Sequence, residues 1–200
     1  MLEQRIQQHF IDGADLKYQA AQALSQPIGA AVQAVLACVT NGAKVLACGS
    51  GPSAAQAQQF AAFCVMGFER ERPELAALAL VSDAVWAAAS AAGAGADIAA
   101  LARQVRALGQ AGDLLLAITT GGSEPALLEA VQAAHERDMT VVALCGRDGG
   151  ALATLLRETD VQICVPHDRA ARVREVHALV LHCLCDGVDA QLLGEQEILS

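Results

Sequence analysis

The chain has 200 residues, 54% of them hydrophobic, which is enough apolar material for one sizeable core and leaves little length for a second domain. A formal net charge of −9 and an aromatic content of 3% argue against direct nucleic-acid binding, because the charge opposes a phosphate backbone and few rings are present to stack on bases. No uninterrupted run of about 18 apolar residues occurs, and the opening "MLEQRIQQHF" places charge where a signal peptide needs an apolar stretch, so the expectation is a cytoplasmic protein with no membrane segment.

In chain order, Ile6, Phe10, Ile11, Ala14 and Leu16 recur at loosely helical spacing between Leu2 and about Leu24. A second helical segment follows Ser25-Gln26-Pro27 as far as about Val39, so residues 1–40 read as a helix pair. That pair carries Leu2, Ile6, Phe10 and Tyr18, which suits either an oligomer interface or the cover of one edge of its own subunit. Strand-like and helix-like segments then alternate: "KVLACGSG", a helix from Ser53 to Met66, "LAALALV", a helix over about Ile98 to Leu108, "DLLLAIT", a helix from Ser123 to Arg137, "TVVALCG", a short helix from Gly150, and "VQICVP". The last helix runs from about Asp168 or Arg169 to Leu193.

Five apolar strands without polar alternation, each separated by a helix, predict an α/β three-layer αβα sandwich with a five-stranded parallel sheet over residues 41–200, the whole chain forming one domain. Ligands of such sheets bind outside the carboxyl ends of the strands, here the loops after Cys48, Val81, Ile118, Gly146 and Val165. "CGSGPSA" offers Ser50 and Ser53 where glycines let backbone N–H groups approach an anion at a helix start, with Ser53 as N-cap or phosphate ligand. "ITTGGSEPA" repeats the design with Thr119, Thr120 and Ser123, and the two loops together predict a phosphosugar cradle.

Seven cysteines lie mostly in apolar runs without paired zinc-site spacing, and Cys183 and Cys185 are two apart on a helix, so no metal and no cofactor are expected. The segment Glu69-Arg70-Glu71-Arg72 reads as a solvated helix end or a source of ion pairs between subunits. "RDGG" at Arg147 makes a turn, and Asp83 and Trp86 follow the second strand, Trp86 in the core or at an interface.

In "CGSGPSAAQAQQFAA", "RPELAALAL", "GDLLLAITTGGS", "DMTVVALCGRDGG" and "RVREVHALVLHCLCD", the chain resembles the sugar isomerase (SIS) domain superfamily and its phosphoheptose isomerase branch. Within that branch it is most similar to the DnaA initiator-associating (DiaA) proteins, in "FERERP", "RQVRALGQAGD" and "HCLCD". The resemblance implies a homotetramer whose clefts are completed by neighbouring subunits. It also implies a His and a catalytic Glu on the helix after the first loop, and those positions read Gln59 and Phe63. A phenyl ring cannot accept the proton that an aldose–ketose isomerase moves.

His182 falls where the family has its second acid–base residue, but Arg174 and Ala171 replace the family's Gln and Asp, and "AAGAGADI" replaces an Asn-Asp loop. Without a carboxylate partner, His182 reads as a residual candidate only; His177 is a weaker one. Glu124 takes the place of the family's last loop serine and would repel a phosphate, with Arg169, Arg172 and Arg174 as compensating charge. Leu192 and Leu193, before the helix stop Gly194, are the expected partner contacts, with docking on the chain's own N-terminal pair as the alternative.

The resulting expectation is a non-catalytic regulator that binds DnaA and gathers several copies of it at the replication origin without touching DNA. Two alternatives are an enzyme isomerising sedoheptulose 7-phosphate in lipopolysaccharide heptose synthesis, and a sensor binding a sugar phosphate through Ser53, Thr119 and Thr120.

Overall fold

The computed structural model describes residues 1–81 and 96–194; Asp83, Trp86 and most of the "AAGAGADI" segment lie outside the described residues. The expected α/β sandwich is present. Five parallel strands, β1 (Val45–Gly49), β2 (Ala77–Ala79), β3 (Leu114–Ile118), β4 (Thr140–Gly146) and β5 (Val161–Val165), hydrogen-bond in the order β2-β1-β3-β4-β5. Among the described residues the helices are α1 (Leu2–Thr40), α2 (Ser53–Met66), α3 (Ala96–Leu108), α4 (Pro125–Glu136), α5 (Gly150–Leu155) and α6 (Ala170–Leu193).

β3 is buried along its whole length, and its alternate side chains feed two cores. Leu114, Leu116 and Ile118 join α1, α2 and α6 on one face, while Leu115 and Ala117 join α3, α4 and α5 on the other. Burial on both faces explains why the central strands β1, β3 and β4 do not alternate in polarity.

The N-terminal helix pair is instead one helix of 39 residues with Pro27 inside it. Buried Leu16, Ala20, Leu24, Ala31, Val35 and Cys38 follow a single stripe, and the seven-residue step from Leu24 to Ala31 carries that stripe across the proline in register. Proline deprives the Ala23 carbonyl of its donor, at a cost of about 3 kcal/mol in a helix interior, but Ala23 is exposed and water can take the bond. The stripe's burial offsets the rest. Leu2, Ile6, Phe10, Ile11 and Tyr18 project from the same helix as exposed side chains.

Both α1 and α6 are long and apolar enough to cross a bilayer by length and composition alone. The apolar stripe of each packs on the sheet, α6 through Val173, Val176, Val180, Leu181, Leu184 and Val188. Leu192 and Leu193 end α6 at 37% and 41% exposure, before Gly194 with its positive φ of 86°.

Candidate active site

The strand order 2-1-3-4-5 reverses between β1 and β3, so the chain leaves these neighbours toward opposite faces and opens a crevice at their carboxyl ends. Gly49 and Ile118 are paired at its floor, and the Ser50 N–H donates to the Ile118 carbonyl at 3.1 Å. Both sequence-predicted loops therefore start side by side. Glycine at 49 is required by contact: a Cβ there would lie 2.3 Å from the Ser53 carbonyl oxygen, because the first turn of α2 sits directly on the end of β1.

Ser53 is the first residue of α2, with Pro52 at the cap position and no side-chain cap bond, so Ser53 is not the N-cap. Its side chain is buried in the turn. The Ser53 and Ala54 N–H groups donate to the carbonyls of Ser50 and Gly51 at 3.1 and 3.0 Å, so the turn consumes part of its own donor set. Ser50 remains half-buried at the crevice.

The second loop is organised around Thr119, fully buried, whose hydroxyl oxygen accepts from the N–H groups of Gly121 and Gly122 at 3.1 and 3.0 Å. That hydroxyl donates in turn to Glu124 Oε2 at 2.6 Å, which also accepts from the Ser123 N–H at 3.1 Å. The protein's own carboxylate thus fills the anion position of this loop. Ser123 lies before α4 rather than in it, and its hydroxyl oxygen accepts from the Ala151 N–H at 3.3 Å at the start of α5. Thr120 is half-buried, with its carbonyl packed against Gly146.

Of the three arginines considered as compensating charge, Arg172 is buried, bonded to Glu175 and to His9 Nδ1 on α1, and Arg169 stands 4.0 Å from Asp12. Gly13 leaves the room that the Arg172–Glu175 pair occupies. Arg174 stands against the first turn of α2, where its carbonyl accepts from Gln56 Nε2 at 2.8 Å, and its guanidinium has no hydrogen bond among the described residues.

His182 lies elsewhere. It is half-buried between Phe68, stacked at a centroid distance of 5.2 Å, and Phe63, edge-on at 5.9 Å. Phe63 is ten residues along α2 from Ser53, which puts this aromatic clamp roughly 15 Å from the loop of the same subunit. Gln59 is exposed on α2. His177 is fully buried on α6; burial pushes its imidazole down to about 4, so it is neutral, with Nε2 bonded to the Cys145 carbonyl at 3.0 Å and Nδ1 without a partner among the described residues. It belongs to the core.

Arg72 was legible only as part of a mixed-charge run, but it is buried within its own chain. Its guanidinium donates to Asp189 on α6 at 2.5 Å and to the carbonyls of Phe63 and Cys64 at 2.9 and 2.8 Å. A cation on the last carbonyls of α2 also complements that helix's dipole. This knot fixes the end of α2 that presents Phe63 to His182.

The SIS domain family matches residues 9–146 of the chain. The chain belongs to the SIS family. The phosphoheptose isomerase of Methylibium petroleiphilum is 61% identical over 99% of this SIS protein and 98% of its own length, and that of Azoarcus is 51% identical over 96% and 98%. Among solved structures, the phosphoheptose isomerase of Neisseria gonorrhoeae superposes with a TM-score of 0.88 at 44% identity, covering 95% of this chain and all of the other; that of Francisella tularensis gives 0.89 at 39%, covering 94% and 98%. These relatives place the protein on the phosphoheptose isomerase branch.

They also overturn the expectation of a DnaA-binding replication regulator, because the high-identity relatives and the structural neighbours carry the isomerase name over the full length. The error came from treating Phe63 and Gln59 as loss of the chemistry itself. Those positions record only that one carboxylate and one imidazole are absent from α2.

Proposed function

We propose that this SIS protein is a phosphoheptose isomerase that interconverts sedoheptulose 7-phosphate and an aldoheptose 7-phosphate in the cytoplasm. The crevice between β1 and β3 supports the reading: it lies at the reversal of strand order, and the loops carrying Ser50 and Thr120 start side by side there. Full-length identity to proteins named phosphoheptose isomerase supports the choice of substrate class.

In this reading His182 acts across a subunit boundary. Roughly 15 Å separate it from the loop in its own chain, so a homotetramer in which α2 and α6 of one subunit face the crevice of another would bring the imidazole to the sugar. The exposed apolar side chains of α1 offer a surface for such assembly.

The test is to follow sedoheptulose 7-phosphate with the purified protein by proton NMR. Conversion to the aldose, reduced about a hundredfold or more by His182→Asn, is the expected result. Calorimetric binding without conversion would replace this reading by sugar-phosphate binding without turnover, which the Phe63 ring against His182 favours. Neither binding nor conversion would overturn both.

A further inference from the structure

We infer that Cys145 and Cys164 form a dithiol site for hydroperoxides, closing to a reversible disulfide that loosens the turn between β4 and α5. The two residues are lateral partners in the parallel pairing of β4 with β5. Neighbouring strands lie about 4.8 Å apart, inside the Cα separation of roughly 4.4–6.8 Å that a disulfide spans. Ile163 and Val165 on β5 turn into the core on the α1 and α6 face, so Cys164 between them points to the opposite face, where Cys145 is buried. The thiols therefore stand side by side on one face of the sheet. β5 hydrogen-bonds to β4 alone and can make the small shift that closure of a bond requires.

The two thiols are unequal in the way such a site requires. Cys164 is half-buried, and its hydrogen bond with Cys145 holds its thiol below the usual range, against burial and the Asp148 carboxylate, which push the other way. Cys145 is fully buried, and the same bond pushes its thiol up, so the pair keeps its proton on Cys145 and its charge on Cys164. The other cysteines lack this combination. Cys183 is exposed, but its thiol is pushed up, first by desolvation and then by Asp186. Cys64 and Cys185 line one buried pocket with Arg72 and Asp189, where burial pushes Cys64 up to about 12 and keeps both thiols protonated.

In the proposed step the Cys164 thiolate attacks the outer oxygen of a hydroperoxide, the O–O bond breaks, and the departing alkoxide takes a proton from water, leaving Cys164 as a sulfenic acid. The Cys145 sulfur then attacks the Cys164 sulfur, the S–O bond breaks, and the Cys145 proton leaves with the hydroxide as water. Two thiols lose two electrons, and the hydroperoxide is reduced to an alcohol and water. The consequence falls on the turn above the pair. The Cys164 thiol donates to the Arg147 carbonyl at 3.4 Å, and Cys145 Sγ accepts from Gln162 Nε2 at 3.4 Å; a disulfide removes that donor and moves that acceptor. Arg147 holds a φ of 60°, which a residue with a side chain keeps only under restraint. The turn in its own right supports the loop after β3, because the Leu152 N–H donates to the Gly122 carbonyl at 2.8 Å and a Cβ at Gly122 would collide with the Gly149 carbonyl.

The experiment treats the folded wild-type protein with stoichiometric hydrogen peroxide, alkylates the remaining thiols and maps the peptides by mass spectrometry without reduction. The expected product is a Cys145–Cys164 linkage within one chain, with two of the seven thiols lost and both restored by a dithiol reductant. Cys164 should react about tenfold or more faster than Cys183. Cys145→Ser removes the resolving thiol and should carry Cys164 on to the sulfinic acid, while Cys183→Ser should leave the linkage unchanged. Hydrogen exchange of the oxidised protein should quicken by about tenfold or more at the Gly149 and Leu152 amides and stay as it was in β3. A wild type that stops at sulfinic acid on Cys164, oxidation of Cys183 ahead of the pair, or a Cys164 linkage between two chains overturns the dithiol site. A disulfide that forms while the Gly149 and Leu152 amides exchange as before overturns its link to the turn.

Discussion

Removing Asp189 should expose how much of the α2–α6 arrangement depends on one buried ion pair. Arg72 and Asp189 are 2% and 1% exposed and 2.5 Å apart, and Asp189 Oδ2 has no partner in the described structure. Truncating one partner of a buried pair costs about 3–5 kcal/mol, because the other charge is left without compensation. Arg72→Ala should sit at the upper end, since it also strips the Phe63 and Cys64 carbonyls of their donor. Asp189→Ala should sit at the lower end, because the guanidinium keeps those carbonyls. For a chain of this length such a loss lowers Tm by roughly 10 °C. Urea denaturation of wild type, both single variants and the double variant, at fixed protein concentration, checks the reasoning. The double variant should cost much less than the two singles together, because the unpaired charge is what each single variant creates. Strict additivity, or a loss under about 1 kcal/mol in either single variant, would refute the idea that the pair holds the end of α2 in place.

His177 should impose an acid limit on stability. Its imidazole is neutral in the fold and near 4, against an ordinary 6.5, so between those values the unfolded chain binds the proton more readily than the native one. The stability is fully present above pH 6.5 and falls as pH drops toward 4, by about 3 kcal/mol from this residue; a His177→Gln variant with the same stability–pH slope as wild type would count against it. Gly49→Ala should cost about 2 kcal/mol or more and weaken sugar-phosphate binding, because its Cβ meets the Ser53 backbone. Gly29→Ala in α1, where nothing lies within 4 Å, should instead stabilise by up to about 1 kcal/mol in the same denaturation assay.

Most of the sandwich was legible because its signals are local. Apolar runs of strand length, glycines at strand ends and helical periodicity marked β1, α2, β3 and β4 to within a residue or two. Pro27 misled because a proline normally ends a helix, and only the tertiary stripe from Leu16 to Cys38 reveals that packing overrides it. Arg72 and Asp189 are 117 residues apart, and no spacing rule joins them. The crevice residues Ser50, Ser53, Thr119, Thr120 and Ser123 were identifiable as loop hydroxyls, but their hydrogen-bond commitments were not. Thr119 and Ser123 turned out to brace neighbouring backbone, which depends on how the loops after β3 and β4 stack.

The loop after β3 can use its donors only once. A phosphate seated there would need the Thr119 hydroxyl and the Ser123 N–H that Glu124 already holds, and it would have to displace a covalently tethered anion of high effective concentration. Two charges of the same sign cannot share those donors without one of them losing its bonds.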